Sequence, residues 1–231
     1  YGRHGITQPS LVGPPGTPEE ARTFIEPGVW RIHPVTHEFE VVFKGMTNPW
    51  GLDWDDEGEM FLSGNVNGHL WHGIPGALYE RMFGAGSEPY DFERLKMIGE
   101  RPHYPSSGDW KKDWLQAEKG RDASNDLGGG HSHCGLLIYQ GENWPERYRG
   151  HLFMSNIHGR RLNDEVTVPR GASYVGKHTG DLMVSANPWF KGVSLVQAPD
   201  GTVLVTDWCD NGECHDDDGV HRSSGRIYRI A

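Results

Sequence analysis

A recurring pattern of polar turns and apolar strands runs along the chain. In three places a turn containing glycine opens a short apolar segment that ends in serine or threonine. The turn glycines, Gly58, Gly150 and Gly201, lie about two periods and then one period of roughly 40–50 residues apart. Self-similarity at a fixed period indicates a repeat architecture. The three copies occupy residues 55–63, 146–155 and 199–206.

Each copy is flanked by apolar segments that predict one strand before the turn and one return strand after it. An alternation of apolar and polar residues over 28–32 and 38–43 predicts a further hairpin. Repeated units of four short strands predict a β-propeller, and a β-sandwich with chance similarity is the alternative. The predicted first strands cover 50–54, 135–139 and 193–196, and the return strands cover 69–72, 160–162 and 226–230.

The length of the chain limits how much of a propeller it holds. Six blades of about 45 residues need roughly 270 residues, whereas the chain has 231. A polar insert without the repeat, at about 88–127, is typical of a functional or disordered loop. We therefore expect residues 1–231 to form one partial, all-β propeller domain of about four blades from a six-bladed ring. The open edge of such a ring predicts a marginally stable or self-associating chain.

Composition supports an all-β fold and argues against nucleic-acid binding and a membrane span. The 32 glycines and 15 prolines argue against a helical bundle, and 9 Trp, 8 Tyr and 8 Phe argue against disorder. A formal net charge of −10 would repel phosphate backbones, so nucleic acid is not expected as a partner. No apolar run reaches the roughly 18–20 residues of a membrane helix, so no transmembrane segment is expected.

Two histidines follow the three glycines at 128–130. Glycine permits a close approach of the backbone to a ligand, and alternation along a strand would put His131 and His133 on the same side. Two imidazoles on one face can bind a divalent metal, or one of them can act as a general base on a sugar hydroxyl. In the structural alternative, one histidine caps a loop and the other packs against tryptophan.

Polar residues follow the apolar strand in each of the three copies. These are Asn65, Asn156 and Asp207. They line one rim of the central channel if the blades are equivalent, and otherwise they cap turns. In the second copy a polar cluster comes next, on a turn that faces either a ligand at the channel mouth or only solvent. This cluster consists of His158, Arg160, Arg161 and Asn163.

The segment 207–218 is dense in acidic residues and contains Cys209 and Cys214. It fits a metal site, with Ca²⁺ on carboxylates or a transition metal on histidine and cysteine. A local disulfide between the two cysteines of an exported protein and a solvated acidic loop are the alternatives. Haem attachment would need two residues between the cysteines instead of four. The candidate metal ligands are Asp207, Asp210, His215 and Asp216.

The nine tryptophans divide into two groups. Those within the repeats are predicted to pack between blades. Trp110 and Trp114 lie in the polar insert, and we expect them to be the better platforms for stacking against a carbohydrate.

Several longer motifs resemble a known family. Residues 139–153 resemble the blade-opening pattern of glucose/sorbosone dehydrogenase-like propellers, and 158–163 is similar to the His-Gly turn that follows it in that group. Residues 189–201 and 225–230 look like the last blade of the same propellers. The nearer resemblance is to the planctomycete-type "membrane-bound dehydrogenase domain" branch, through the motifs at 48–53, 128–133 and 212–216.

This resemblance implies an exported protein, periplasmic or associated with the cell envelope, although the chain itself shows no signal peptide. It also implies oxidation of a carbohydrate or small polyol. His131 or His133 would take the hydroxyl proton, while hydride passes to pyrroloquinoline quinone, with Ca²⁺ as companion ion. Arg160 or Arg161 would face the cofactor or a substrate oxyanion. Electrons would then reach a c-type haem domain, a partner that members of the branch often carry.

The candidate cofactor-binding residues are Arg160, Asn163, Lys191, Asn65, Asn156 and Asp207. One departure from the family concerns the last blade, where Lys191 is the single cation of 189–192. Soluble quinone glucose dehydrogenases have closely spaced arginines there. Because a fold does not fix chemistry, two other functions stay open, a non-catalytic glycan- or protein-binding propeller module and a metal-dependent hydrolase or lactonase.

Overall fold

A computed structural model shows an all-β molecule. It describes the backbone of residues 2–4 and the whole of 10–65, 68–81, 93–100, 132–157, 159–187, 189–209 and 223–231. None of the described segments forms a helix long and apolar enough to cross a membrane. The predictions for His131, His158, Asp210, Cys214, His215, Asp216, Trp110 and Trp114 lie outside the described residues, as does most of the predicted insert.

Fifteen strands and two single-turn 3-10 helices follow one another along the described chain. The helices span Glu19–Ala21 and Glu146–Tyr148. The strands are β1 (Gly2–His4), β2 (Ser10–Val12), β3 (Thr23–Ile25), β4 (Gly28–Ile32), β5 (Phe39–Lys44), β6 (Pro49–Trp54), β7 (Met60–Gly64), β8 (Leu70–Gly73), β9 (His133–Ile138), β10 (Leu152–Asn156), β11 (Arg161–Arg170), β12 (Ser173–Val184), β13 (Gly192–Gln197), β14 (Val203–Asp207) and β15 (Arg226–Ile230).

Four antiparallel sheets form four successive blades. Blade 1 has the strand order β1-β4-β5, blade 2 has β6-β7-β8, blade 3 has β12-β11-β10-β9 and blade 4 has β13-β14-β15. The strands β2 and β3 pair separately. The first strands of blades 2, 3 and 4, which are β6, β9 and β13, pack side by side. This arrangement confirms the predicted propeller, and the turns at 55–58, 146–150 and 199–201 precede β7, β10 and β14 as the repeat predicted.

Glycine allows the inner strands to approach one another. A Cβ atom added to Gly51 of β6 would lie within 3.0 Å of the Leu136 backbone nitrogen in β9. A Cβ atom on Gly135, whose φ of 61° is in the left-handed region, would lie as close to the Val193 carbonyl oxygen in β13. These two residues therefore set the spacing of three neighbouring blades.

Each pair of neighbouring blades encloses its own apolar core. Alternation along the strands sends one set of side chains to each face of a blade. The core between blades 1 and 2 includes Val29, Phe43, Met60, Leu62 and Trp71. The core between blades 2 and 3 includes Phe61, Leu70, Leu136, Leu152 and Met154. The core between blades 3 and 4 includes Tyr139, Trp144, Phe153, Phe190 and Val205.

The prediction that the tryptophans of the repeats pack between blades holds for some of them and not for others. Trp71 and Trp144 are buried in the cores between blades, as predicted. Trp208 is 60% exposed and Trp50 is 36% exposed, so the expectation of packing between blades is wrong for these two. Both stand at the end of the ring where the inner strands begin.

Blade 3 has a fourth strand, at residues that the sequence did not assign to any strand. The predicted return strand at 160–162 is the start of β11, which turns into the 12-residue β12. The segment 97–100, within the predicted insert, lies between this hairpin and blade 2. The Ile98 amide donates to the Leu70 carbonyl at 2.9 Å, and the Gly176 amide of β12 donates to the Ile98 carbonyl at 2.8 Å. Blades 2 and 3 are therefore joined at their outer strands as well as at their inner ones.

Candidate functional site

Three blades begin with the same strand-end geometry. The ladder pairs at this end join Pro49 to Gly64, His133 to Asn156, and Gly192 to Asp207. A register shift follows directly in blades 2 and 4 and one pair later in blade 3. Asn156 and Asp207 therefore occupy equivalent positions at one end of the ring. Asn65 is displaced by one residue and forms a bridge to Ser132, just ahead of β9. The structure thus brings the three predicted strand-end residues to the same end of the ring.

A buried hydrogen-bond network centres on His133. The Nε2 atom lies 3.1 Å from Asn163 Oδ1 and 3.1 Å from Asn156 Nδ2. Asn156 Nδ2 also donates to Asn163 Oδ1 at 3.2 Å. All three side chains are almost fully buried. Three residues that the sequence nominated separately therefore form one polar cluster between blades 2 and 3.

The outer members of the network fix which way each amide points. A carboxylate only accepts, so the bond of 2.7 Å from Asn163 Nδ2 to Asp181 turns Asn163 Oδ1 towards His133. The Gly159 amide donates to Asn156 Oδ1 at 3.0 Å, which turns Asn156 Nδ2 towards the same point. His133 Nε2 therefore faces both an acceptor, Asn163 Oδ1, and a donor, Asn156 Nδ2, and either tautomer of the imidazole makes one hydrogen bond there.

Asp181 links the network to a nominated arginine. Arg161 donates to its carboxylate at 2.8 Å, and both side chains are mostly buried. Asp181 was missed by sequence reasoning because β12 lies outside the repeat and no motif surrounds this residue. Only the register of β11 and β12, which pairs Asn163 with Asp181, brings it into the site.

A second buried polar group lies beside His133. The His69 and His133 rings are 5.2 Å apart between centroids. His69 Nε2 lies 3.4 Å from Glu165 Oε1, and both side chains are at most 1% exposed. His178 Nδ1 approaches the same oxygen at 3.6 Å. Sequence reasoning did not point to Glu165 or His178, because each is an isolated polar residue in a different strand context.

Cys134 and Asn65 connect blade 3 to blade 2 at this end. The Cys134 thiol donates to Asn65 Oδ1 across 3.7 Å, and both residues are buried. The Asn65 amide in turn donates to the Asn48 carbonyl at 3.3 Å. The thiol is reduced and belongs to the polar layer above the core between the two blades.

Asp207 occupies the corresponding place in blade 4, where it caps the backbone. Its Oδ1 atom accepts from the amides of Lys191 and Cys209, each at 2.8 Å. Its Oδ2 atom is buried and has no hydrogen-bond partner among the described residues. Within the part of the chain that the structure describes, no three His, Cys, Asp or Glu side chains are arranged to hold a metal. Cys209 is a free, buried thiol.

Arg160 lies on the turn that leads into β11, in the left-handed region at φ 51°. Its carbonyl accepts from the Ser185 amide at 2.9 Å, which holds this backbone against the end of β12. Its guanidinium makes no hydrogen bond or ion pair with the described residues and is partly exposed. Its chain neighbour Arg161 is the arginine that contacts the His133 network, through Asp181.

The sequence matches the family described as a domain of unknown function, DUF7133, over residues 1–231. The chain belongs to this family. None of the curated proteins matches this DUF7133 chain.

Several solved structures described as sugar dehydrogenases are similar to the DUF7133 chain. An oxidoreductase from Thermus thermophilus, described as a glucose dehydrogenase, is 20% identical with a TM-score of 0.52, over 83% of this chain and 46% of that one. The PQQ-bound aldose sugar dehydrogenase of Streptomyces coelicolor is 16% identical over 86% of this chain and 47% of that one, with a TM-score of 0.44. The apo form of the soluble aldose sugar dehydrogenase of Escherichia coli is 12% identical over 83% and 47%, with a TM-score of 0.46.

The chain thus spans about half the length of these proteins. At such identities the likeness shows a shared fold, the β-propeller, and the Thermus protein carries that conclusion.

Proposed function

We propose that the chain is the propeller of a sugar or polyol dehydrogenase in which His133 accepts the proton of the substrate hydroxyl. The observation that supports this role is the His133 network, in which two oriented amides hold one buried imidazole in place. General bases need this preorganisation, because the accepting nitrogen must present its lone pair to the reacting group. His131, the other candidate base, lies outside the described residues.

Each residue around His133 has a separate role in this proposal. Asn163 Oδ1 and Asn156 Nδ2 both contact Nε2 of His133 and hold its ring in place. Asp181 holds the Asn163 amide in the orientation that this requires, and Arg161 balances the charge of Asp181. Arg160 would steady the negative charge that develops on the substrate oxygen, a task suited to a planar guanidinium.

The implied cofactor is pyrroloquinoline quinone, which accepts hydride when bound. Its carboxylates would pair with cations. The Arg160 guanidinium, which has no counter-ion among the described residues, would be one of them. Lys191 and Asn65 would complete the cofactor contacts, and the buried Oδ2 atom of Asp207 would be a Ca²⁺ ligand. Membership of the planctomycete-type branch, export to the periplasm or cell envelope and transfer of electrons to a c-type haem domain are further parts of this proposal.

A dye-reduction assay tests the proposal. The protein containing this chain is reconstituted with pyrroloquinoline quinone and Ca²⁺ and assayed against a panel of sugars and polyols. His133→Asn is expected to lower kcat by about 10²-fold or more with unchanged quinone binding. His151→Asn is the matched control, because His151 pairs with Asp164 at 2.7 Å on the opposite face of the same sheet. Turnover that survives His133→Asn would overturn the assignment of the base.

One observation favours a second function, a glycan- or protein-binding module. Trp208 and Trp50 are exposed at the end of the ring that holds the polar network, and exposed indole rings stack on sugars and anchor protein partners. Sugar binding that quenches tryptophan fluorescence, without turnover and without quinone binding, would favour this module. Turnover that needs no electron acceptor and is lost to a chelator would instead indicate the hydrolase or lactonase.

A further inference from the structure

Three polar side chains from distant parts of the chain form a second hydrogen-bonded group, at the outer strands of blades 2 and 3. His72 Nε2 lies 2.8 Å from Glu59 Oε2, and His72 Nδ1 lies 3.0 Å from Ser173 Oγ. Glu59 directly precedes β7, His72 is in β8, and Ser173 is the first residue of β12. Both distances are those of hydrogen bonds. A carboxylate, an imidazole and a hydroxyl are therefore joined in that order, and the proposed dehydrogenase uses none of them.

The two contacts of His72 determine where the proton of its neutral imidazole lies. A carboxylate only accepts hydrogen bonds, so the proton lies on Nε2, which faces Glu59. Nδ1 then carries a lone pair and accepts the hydrogen bond of the Ser173 hydroxyl. The basic nitrogen of His72 is thus within reach of the serine proton, which is the geometry that a general base requires.

Packing holds the His72 ring in this orientation. The ring stacks on Phe61, with 5.4 Å between centroids, and meets the ring of Tyr174 edge-on at 5.0 Å. The hydroxyl of the buried Tyr79 donates to the His72 carbonyl, which fixes the backbone of β8 at this residue. His72 is 6% exposed, whereas Ser173 is only partly buried. A rigidly held base therefore contacts a hydroxyl that solvent can reach.

We propose that Ser173 is the nucleophile of an acyl-transfer site, with His72 as its general base and Glu59 as the residue that positions the imidazole. A hydroxyl, a base within hydrogen-bond reach and a third group that orients the base are the signature of an activated nucleophile. Such a group is recognised by its geometry and not by its order in the sequence. This activity is independent of the dehydrogenase and belongs to the outermost strands of two blades.

Acyl transfer at this site needs only an ester and water. The Ser173 O–H bond breaks, its proton moves to His72 Nδ1, and Oγ forms a bond to the ester carbonyl carbon. The bond from that carbon to the leaving alcohol then breaks, and the alcohol oxygen takes the proton from Nδ1. Water attacks the acyl-serine in the same way, gives a proton to Nδ1, and the released Oγ takes that proton back. The products are an alcohol and a carboxylic acid, and nothing is oxidised or reduced.

The turn before Ser173 carries donors for the negative charge that develops on the carbonyl oxygen. It joins β11 to β12 through Gly171, which has a φ of 64°, and Ala172. The amides of these two exposed residues donate to no other residue that the structure describes. Backbone amides of this kind stabilise the tetrahedral intermediates of acyl transfer. In our proposal they bind the oxygen of the ester carbonyl.

The charge around the serine limits the substrate class. Burial raises the pKa of the Tyr174 phenol, and the nearby charges of Glu59, Asp55 and Glu57 add to this shift. Tyr174 directly follows Ser173, so the same negative charges act on a molecule that approaches the nucleophile. They repel anions. We therefore expect neutral or cationic esters to react, and esters that carry a carboxylate to react poorly.

A fluorophosphonate probe tests for the nucleophile directly, because it forms a covalent bond with an activated serine. The full protein is incubated with the probe, and the modified residue is identified by mass spectrometry. We expect the adduct on Ser173, and Ser173→Ala is expected to abolish it. Ser185→Ala is the matched control, since Ser185 is also partly buried but its hydroxyl contacts the backbone of Asn187 in place of an imidazole.

Two further variants distinguish an activated serine from one that is merely accessible. His72→Gln removes the base and is expected to slow labelling by about 10²-fold. Glu59→Gln keeps an acceptor for His72 Nε2 but removes its charge, so a smaller loss is expected. Asp56→Asn, in the same turn as Glu59 and exposed, is the control. Thermal unfolding of each variant separates the effects, because a purely structural contact would change stability and leave the labelling rate of the folded protein unchanged.

Hydrolysis of p-nitrophenyl acetate, a neutral ester, is the second readout. It is expected to be lost in Ser173→Ala, to survive in Ser185→Ala, and to proceed with EDTA present and without quinone, which separates it from a metal-dependent hydrolase. Labelling that His72→Gln does not slow, or hydrolysis that survives Ser173→Ala, would overturn the proposal. Neither readout depends on sugar oxidation, so the failure of this site and the failure of the proposed dehydrogenase are distinguishable.

Discussion

The carboxylate of Asp53 shows how one side chain can satisfy the backbone of two blades. Its Oδ1 atom accepts from the Trp54 amide at 2.9 Å, and its Oδ2 atom accepts from the Ile138 amide at 2.8 Å in the neighbouring inner strand. Gln197 does the same for the Gln140 amide at 3.1 Å. Inner strands have no neighbour in their own sheet on one edge, so side chains supply acceptors that a ladder would otherwise provide.

Burial raises the pKa of Asp53 above its ordinary value of 3.8, and the two backbone hydrogen bonds only partly oppose this shift. The folded protein therefore takes up a proton at a pH where the unfolded chain is still ionised. The stability of the wild-type protein relative to Asp53→Asn is expected to rise as the pH falls from about 7 through the raised pKa, and to level off below the unfolded value.

Urea unfolding of both proteins at several pH values between about 7 and about 3 measures this difference. Asp56→Asn is the control, because Asp56 is exposed in the turn before β7. The difference in free energy of unfolding between this variant and the wild-type protein should not change with pH. A wild-type protein that loses stability relative to Asp53→Asn on acidification would contradict the raised pKa.

Strand spacing depends on glycine at the contacts between inner strands. A side chain at position 51 would meet the backbone of Leu136 and the hydroxyl of Ser63. Gly51→Ala is expected to lower the free energy of unfolding by about 3 kcal/mol, because rigid backbone must shift to make room. Thermal and urea unfolding measure the change. Gly225→Ala is the control, since its Cβ would find only ordinary contacts with Asp207 and Trp208 carbonyl oxygens, and an equal cost in both variants would contradict this argument.

The predicted and observed strands agree best where the repeat is strongest. The turn glycines at 58, 150 and 201 placed β7, β10 and β14, and the equivalence of Asn156 and Asp207 followed from the same repeat. The hairpin of β11 and β12 escaped prediction because β12 is rich in glycine and polar residues and only partly buried. Its position depends on pairing with β11 and on the segment 97–100, which are contacts between distant parts of the chain.

The outer face of blade 4 exposes two large apolar side chains. Val196 is 56% exposed and Ile227 is 70% exposed on the same face of this sheet. The opposite face of blade 4 is buried against blade 3. An exposed apolar sheet face favours association, so the chain studied alone is expected to self-associate in a concentration-dependent way.

Sedimentation equilibrium of this chain tests that expectation. Val196→Lys combined with Ile227→Lys should shift the population to monomer with little change in thermal stability, because both positions are exposed. Val35→Lys is the control, since Val35 is 80% exposed in the turn between β4 and β5 and should leave association unchanged. A monomeric wild-type chain with a sharp, concentration-independent thermal transition would refute the prediction.

Local pattern was sufficient for the fold class, the blade period and most of the residues at the end of the ring. His133, Asn156, Asn163 and Arg161 were nominated by their place after turns and strands, and these places are short-range properties of the chain. Strand alternation was also enough to separate the two faces of each blade. A repeat determines such features because each blade needs the same turn and the same apolar strand to pack against its neighbours.

Only the tertiary structure shows which side chains contact one another in the candidate site. Asp181 reaches the His133 network through the register of β11 and β12, and Glu165 meets His69 only because blades 2 and 3 pack face to face. The exposure of Trp208, in place of the expected packing, likewise depends on which blade stands beside it. Contacts of this kind join residues that are far apart in sequence, and no periodicity along the chain encodes them. The charges and hydrogen bonds of the candidate site therefore follow from tertiary packing.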